Sequence, residues 1–146
     1  MSGITDPAEA YFKDGLWGWD GSAWHKLPLL LGYSEALWLW DEDDDAGADT
    51  EIIALGAVDA GEVWIINSFS ARDTNTDITR ITLYLQRGDE SHVVGEVFPG
   101  AVAESAIFSG RLVLREDDYL WAYFVGTVGG DDIKASATGY KMLIAE

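Results

Sequence analysis

Cysteine is absent from the 146-residue chain, which removes disulfide frameworks, thiolate metal sites and cysteine nucleophiles together. Basic residues are few: 9 Lys plus Arg stand against 26 Asp plus Glu, for a net charge of −17. Such a chain repels a phosphate backbone, which argues against nucleic acid as a partner. The acidity itself reads either as solubility and resistance to self-association or as the acidic outer face of a large assembly. Long apolar runs are missing too. Nothing approaches about 18 uninterrupted apolar residues, and residues 1–15 carry Asp6, Glu9, Lys13 and Asp14 in place of a basic start and an apolar core. Neither a membrane span nor a cleaved secretion signal is expected.

The chemistry of catalysis is equally thin. His25 and His92 are the only histidines; they fall in different expected strands, and no Cys completes a metal set, so both read as structural or surface residues. No Gly-x-Ser-x-Gly occurs, and Ser22 near His25 has no supporting motif. Gly129-Gly130 is followed by Asp131 and Asp132, which would repel a phosphate. The expectation is a non-enzyme with no catalytic residue and no cofactor.

What the chain does have is aromatic residues: 7 Trp, 6 Tyr and 5 Phe within a 48% hydrophobic composition. That content excludes intrinsic disorder and points to a β-rich body with substantial aromatic burial. Residues 1–35 read as an appendage. Pro7 to Lys13 has the capping pattern of one or two helical turns. Leu16 to Leu27 reads as a hairpin around Asp20, Gly21 and Ser22, carrying Trp17, Trp19 and Trp24. Pro28 to Ser34 is an extended crossing into the body, residues 36–146.

Within the body, Ala36 to Trp40 is a short strand with Trp38 and Trp40 on one side, and Asp41 to Asp49 an acidic loop. Strands are expected at Glu51–Val58, Glu62–Ala71, Ile78–Gln86 and Ser91–Phe98, then Ala103–Phe108, Arg111–Arg115, Tyr119–Val125 and Ile133–Ala145. The stretch from Gly110 to Gly126 organises the rest. Its second strand places Leu120, Ala122 and Phe124 on one face and Tyr119, Trp121, Tyr123 and Val125 on the other. A strand apolar on both sides packs on a second sheet, a partner subunit, or both. About eight body strands with turn chemistry at nearly every junction define an all-β fold, an antiparallel β-sandwich of jelly-roll type. An immunoglobulin-like sandwich is the alternative.

One cluster invites a metal. Asp41, Asp43 and Asp45 begin like an EF-hand loop, and hard calcium prefers clustered carboxylates. Ala46 stands where that loop needs glycine and Ile52 where it needs the bidentate glutamate. The run is therefore not an EF-hand, and a solvated acidic segment is the expectation, with no metal.

The segment LWGWDGSAWHKLPLLLGYS, Leu16 to Ser34, resembles segments near the start of tailed-bacteriophage virion proteins of the fibre, tail and capsid-decorating kinds. The body is similar to small phage jelly-roll modules in Ala60 to Trp64, Gly110 to Asp118 and the pair Gly139-Tyr140. One departure is the acidic turn Glu116-Asp117-Asp118, where such modules commonly carry proline-glycine. The resemblance implies a virion location and a structural role, as a capsid decoration or particle-surface protein acting through subunit contacts. It also implies a homo-oligomer, with a trimer as the expected form, and contacts with other virion proteins. Trp17, Trp19 and Trp24 would then dock the hairpin on a neighbour, and Tyr119, Trp121 and Tyr123 would meet a partner subunit. The alternative is a tail or fibre receptor-binding module in which a Trp platform beside Asp20 takes a host glycan. Packing within the chain would equally use the three hairpin tryptophans.

Overall fold

The computed structural model describes residues 17–19, 21–22, 24–26 and 35–144. The expected helical turns at Pro7 to Lys13 and the crossing at Pro28 to Ser34 lie outside the described residues, as does Asp20. The expected hairpin is present: β1 (Trp17–Trp19) and β2 (Trp24–Lys26) pair antiparallel, Trp17 opposite Lys26 and Trp19 opposite Trp24. Gly21 turns the chain with φ at +100°, a conformation glycine adopts freely.

The body strands are β3 (Glu35–Ala46), β4 (Asp49–Ala54), β5 (Glu62–Asp73), β6 (Arg80–Arg87), β7 (Glu90–Val97), β8 (Ala106–Leu114), β9 (Tyr119–Thr127) and β10 (Asp131–Leu143). They form two antiparallel sheets of four strands, β3-β10-β5-β8 and β4-β9-β6-β7. The pairing is concentric. Hairpin β6–β7 is innermost, and β5–β8, β4–β9 and β3–β10 wrap it in turn. A long folded hairpin rolled in this way, changing sheet at every body connection but β6–β7, is a jelly roll, and its strand order excludes the immunoglobulin arrangement. Among the described residues there is no helix.

Alternation fixes which residues fill the space between the sheets. From β9 come Leu120, Ala122 and Phe124, all buried, with Tyr119, Trp121, Tyr123 and Val125 half-exposed on the reverse side as expected. Ile81, Leu83 and Leu85 of β6 meet them from the same sheet. Phe69 and Ala71 of β5, Leu114 of β8 and Ile133, Ala135 and Ala137 of β10 close the core from the other. Burying a side chain the size of Phe124 contributes about 2–3 kcal/mol, so this alternation is the main force holding the sheets face to face.

Three expectations need correction. The acidic run is not a loop, because β3 continues through Asp41, Glu42, Asp43, Asp44 and Asp45 to Ala46. β3 is an edge strand, so its ladder to β10 uses main-chain groups while the side chains stay in water. Lys134 lies opposite Glu42 and its Nζ is 3.2 Å from both Glu42 and Asp132. A charged edge of this kind also discourages a further strand from adding there.

The second correction joins Ala103–Phe108 and Arg111–Arg115, which form one strand, β8, starting at Ala106. Ser109 pairs with Ser68 and Leu112 with Ile66, so Gly110 and Arg111 together face Asn67. That is a β-bulge, and Gly110 at φ +152° supplies the backbone it needs. The third shortens the strand expected at Glu51–Val58. β4 ends at Ala54, although Leu55 N still donates to Leu120 O at 2.9 Å and Val58 N to Asp118 O at 3.0 Å.

Buried aspartates pin both ends of the sandwich. At one end Asp118 Oδ2 accepts from Arg87 Nη2 (2.7 Å), Arg87 Nε (3.0 Å) and Arg115 N (3.0 Å). The acidic turn is thus defined: Asp118 N also donates to Arg115 O at 3.0 Å, and Asp117 takes φ +69°. Burial opposes ionisation of Asp118, but the Arg87 and Arg115 donors outweigh it and hold the carboxyl below its ordinary value. At the other end Asp73 Oδ1 accepts from Asn75 N (2.9 Å) and Thr76 N (3.0 Å). Asp131 accepts from Thr76 Oγ1 and Val128 N, each at 2.7 Å.

Candidate functional site

With the core filled, the side chains that remain for function are those on the two outer faces. On the sheet β4-β9-β6-β7, register brings Ala54, Trp121, Tyr84 and Val93 into one row and Ile52, Tyr123, Thr82 and Glu96 into the next. Cross-strand neighbours on one face touch. The Tyr84 and Trp121 rings stack with centroids 4.1 Å apart and planes at 12°, and Tyr123 meets Trp121 edge-on at 6.3 Å. The Arg80 guanidinium lies 5.9 Å over the Tyr123 ring.

Gln86 fixes this cluster from below. Its Oε1 accepts from Trp121 Nε1 at 3.2 Å and from Ser91 Oγ at 2.6 Å, while its Nε2 donates to Gly88 O at 2.8 Å. A hollow of about 210 Å³ opens between Ile52, Ala54, Gln86, Tyr119 and Trp121. Charge is scarce across the two rows, where Glu96 is the only ionisable acid, and its carboxylate already accepts from Thr82 Oγ1 at 2.8 Å. On a chain of net charge −17 this is an unusually neutral surface.

The opposite face, on β3-β10-β5-β8, has a different composition. Trp38 lies opposite Thr138 and Trp40 opposite Ser136; Thr138 faces Ser68 and Ser136 faces Ser70 across the next ladder. On the far side Ser70 pairs with Ile107. The result is a floor of small hydroxyls between a tryptophan wall on one edge strand and Ile107 on the other. Trp38 and Trp40 are 68% and 58% exposed and stack on each other with centroids 6.2 Å apart and planes at 23°. A hollow of about 320 Å³ lies here, and Asp41, Arg72 and Lys134 close one end of it.

The expected site residues divide accordingly. Tyr119, Trp121 and Tyr123 do share one outer face, and Trp121 and Tyr123 touch. The side chains of Trp17, Trp19 and Trp24 lie outside the described residues. Asp41, Asp43 and Asp45 do not converge: Asp41 Oδ1 accepts from Glu42 N at 2.8 Å and Asp43 Oδ1 from Asp45 N at 3.1 Å. Among the described residues no three carboxylates or histidines gather as a metal would require. His92 is exposed, with Nε2 3.5 Å from Glu90. Gly129-Gly130 forms the β9–β10 turn, with Gly130 N donating to Ala46 O at 2.9 Å.

Tyr84 and Gln86 carry no signal that singles them out in the sequence beyond sharing one side of the Ile78–Gln86 strand by alternation. The hydroxyl floor escapes a reading of the sequence as well. Its signal was present as polar residues at every second position, Ser68-x-Ser70-x-Arg72 and Lys134-x-Ser136-x-Thr138.

Fold and faces together define a jelly-roll β-sandwich with two unlike outer surfaces. No family model matches the chain, and no curated protein matches it. Among solved structures it is similar to the Eiger TNF of S. frugiperda, at 10% identity, with 76% of this chain and 94% of that one covered and a TM-score of 0.33. It is also similar to a CBM4 structure at 14% identity, with 75% of this chain and 81% of that one covered and a TM-score of 0.29. The role of neither passes to this chain at such distances.

Proposed function

We propose that the chain is a non-enzymatic structural subunit of a tailed-bacteriophage particle, sitting at the particle surface as a capsid-decorating protein and working through subunit contacts. The virion setting is supported by the resemblance of Leu16 to Ser34 and of the body motifs to phage virion proteins. The contact role is supported by one observation above others: the Tyr84–Trp121–Tyr123 cluster on the outer face of β4-β9-β6-β7. Preorganised aromatic rings held by a half-buried glutamine bond carry large contact area at little entropic cost, which is the composition of interface hot spots. The occupant is a second copy of the chain. Repulsion between copies is lowest where charge is scarcest, and the rows around Trp121 are that place.

Light scattering on the full chain tests this directly. A dimer or trimer is expected, shifting toward monomer in Trp121→Ala. A strictly monomeric chain at roughly 100 μM, well above the concentration at which a micromolar contact fills, contradicts the contact role. Mass spectrometry of purified particles tests the setting, and absence of the chain from them contradicts it.

A further inference from the structure

We infer that the outer face of β3-β10-β5-β8 is a binding groove for a neutral oligosaccharide, with Trp38 and Trp40 as its stacking wall. The two indoles are held at alternate positions of one edge strand, where side chains share a face. They stand 6.2 Å apart and remain 68% and 58% exposed, so each offers a ring face that no described residue covers. A pyranose has an apolar C–H face that packs on such a ring, while its hydroxyls project around the rim.

The floor is built for those hydroxyls. Ser68 and Thr138 share a hydrogen bond of 2.7 Å, and Ser70 and Ser136 approach only to 3.5 Å. Each hydroxyl both donates and accepts, and each keeps capacity to spare. Sugar hydroxyls have the same dual character, so a floor of this kind reads them without a net charge. At one end of the hollow Arg72, in the row next to Ser70 and Ser136 on the same face, supplies a donor for a further sugar hydroxyl.

Other occupants fit less well. The net charge of −17 opposes a nucleic acid or a polyanionic glycan. An apolar side-chain surface would leave the spare hydrogen-bonding capacity of the hydroxyl floor buried and unused. A second copy would bring Asp41, Glu42 and Asp132 against their own equivalents, unlike the neutral face behind it. The groove spans three strand spacings of roughly 4.8 Å each, the width of one extended polymer and no more. It lies on the sheet opposite the proposed subunit contact, so either can fail without the other.

The test is a titration of the full chain, followed by calorimetry, with a panel of neutral hexasaccharides: β-1,4- and β-1,3-linked glucose, β-1,4-linked mannose and α-1,4-linked glucose. Binding to at least one is expected, weakened about tenfold by Trp38→Ala and by Trp40→Ala, and partly kept by Trp40→Phe. Val128→Ala, at an exposed position between β9 and β10, is expected to leave it unchanged. Because both tryptophans are exposed, the variants are expected to melt within about 2 °C of the parent, which separates lost binding from lost folding. No heat with any member at roughly 10 mM overturns the proposal. So does binding that survives loss of both indoles, or binding confined to sialylated or uronic-acid glycans run beside the panel.

Discussion

The two outer faces are made of the same strand geometry and differ in where the aromatic residues fall. On β4-β9-β6-β7 they occupy the two central strands, so they find each other. Trp121 stacks on Tyr84 at 4.1 Å and is tied to Gln86, and the face becomes a flat, half-buried platform. On β3-β10-β5-β8 the tryptophans occupy an edge and the central strands carry Ser and Thr, so the aromatics stand up beside a low floor. Position within the sheet, more than aromatic content, decides whether a face is a platform or a groove. Platforms suit proteins and grooves suit polymers.

The largest way to break this contrast is from beneath the hydroxyl floor. Gly139 lies where β10 and β5 slip register, and a Cβ placed there would lie 1.9 Å from Ile65 O. Backbone cannot yield as a flexible side chain does. Gly139→Ala is expected to cost about 3 kcal/mol and lower the melting temperature by roughly 10 °C. An unchanged melting curve would mean the strands accept a wider spacing.

Next in size is Asp118→Asn, which acts at the end where both sheets meet. It leaves Arg87, itself partly exposed, without its ionic partner, and an expected loss of about 2 kcal/mol at pH 7 allows for that exposure. Asp118 titrates below its ordinary value in the fold, so its contribution is present above the unfolded value and lost as pH falls through the folded one. Urea unfolding across pH should therefore show the variant and the parent converging in acid. A constant gap would assign the effect to packing alone.

A smaller effect sharpens the comparison most cleanly. Trp121→Ala removes a half-buried, stacked ring and is expected to cost about 1.5 kcal/mol; Trp40→Ala removes an exposed one and is expected to cost less than about 0.5 kcal/mol. Equal losses by denaturant titration would show that the two faces are not the different surfaces described.

Much of this was legible in the chain. The alternation of Tyr119 to Val125 separated core from outer face residue by residue, because period two is a local property of a strand. Strand spacing and turn chemistry were enough for a jelly roll. The hydroxyl floor was not legible, because Ser70 and Ser136 are 66 residues apart and only the β5–β10 register makes them neighbours. Arg87 and Asp118 are 31 apart and were hidden for the same reason. Asp41 to Asp45 misled differently. Five acids in a row read as a loop because charge is rarely buried, yet an edge strand can carry them without burying any.

The one expected gain of stability falls at the opposite end of the sandwich, where β5 ends and β10 begins beside it. Burial pushes the Asp73 carboxyl above its ordinary value, reinforced by Asp131, whose own carboxyl is held low by Val128, Thr76 and Asp73 despite burial. Asp73 Oδ2 is buried with no ordinary donor, so a proton retained on Asp73 and shared with Asp131 is the arrangement that satisfies both. A raised folded value means this stabilisation is complete below the unfolded carboxyl value and fades as pH climbs through the folded one. Asp73→Asn replaces the proton with a permanent amide donor and keeps an oxygen for Asn75 N and Thr76 N. The variant is expected to match the parent near pH 4 and to melt roughly 2–4 °C higher at pH 8. Because the pair holds the β5–β6 connection and the β9–β10 turn, both of which cross between the sheets, the gain should protect amides under the aromatic platform and under the hydroxyl floor alike in hydrogen exchange. Protection confined to one sheet would show that the two faces rest on separately stable layers, and a variant that gained nothing at pH 8 would mean that no shared proton holds this end together.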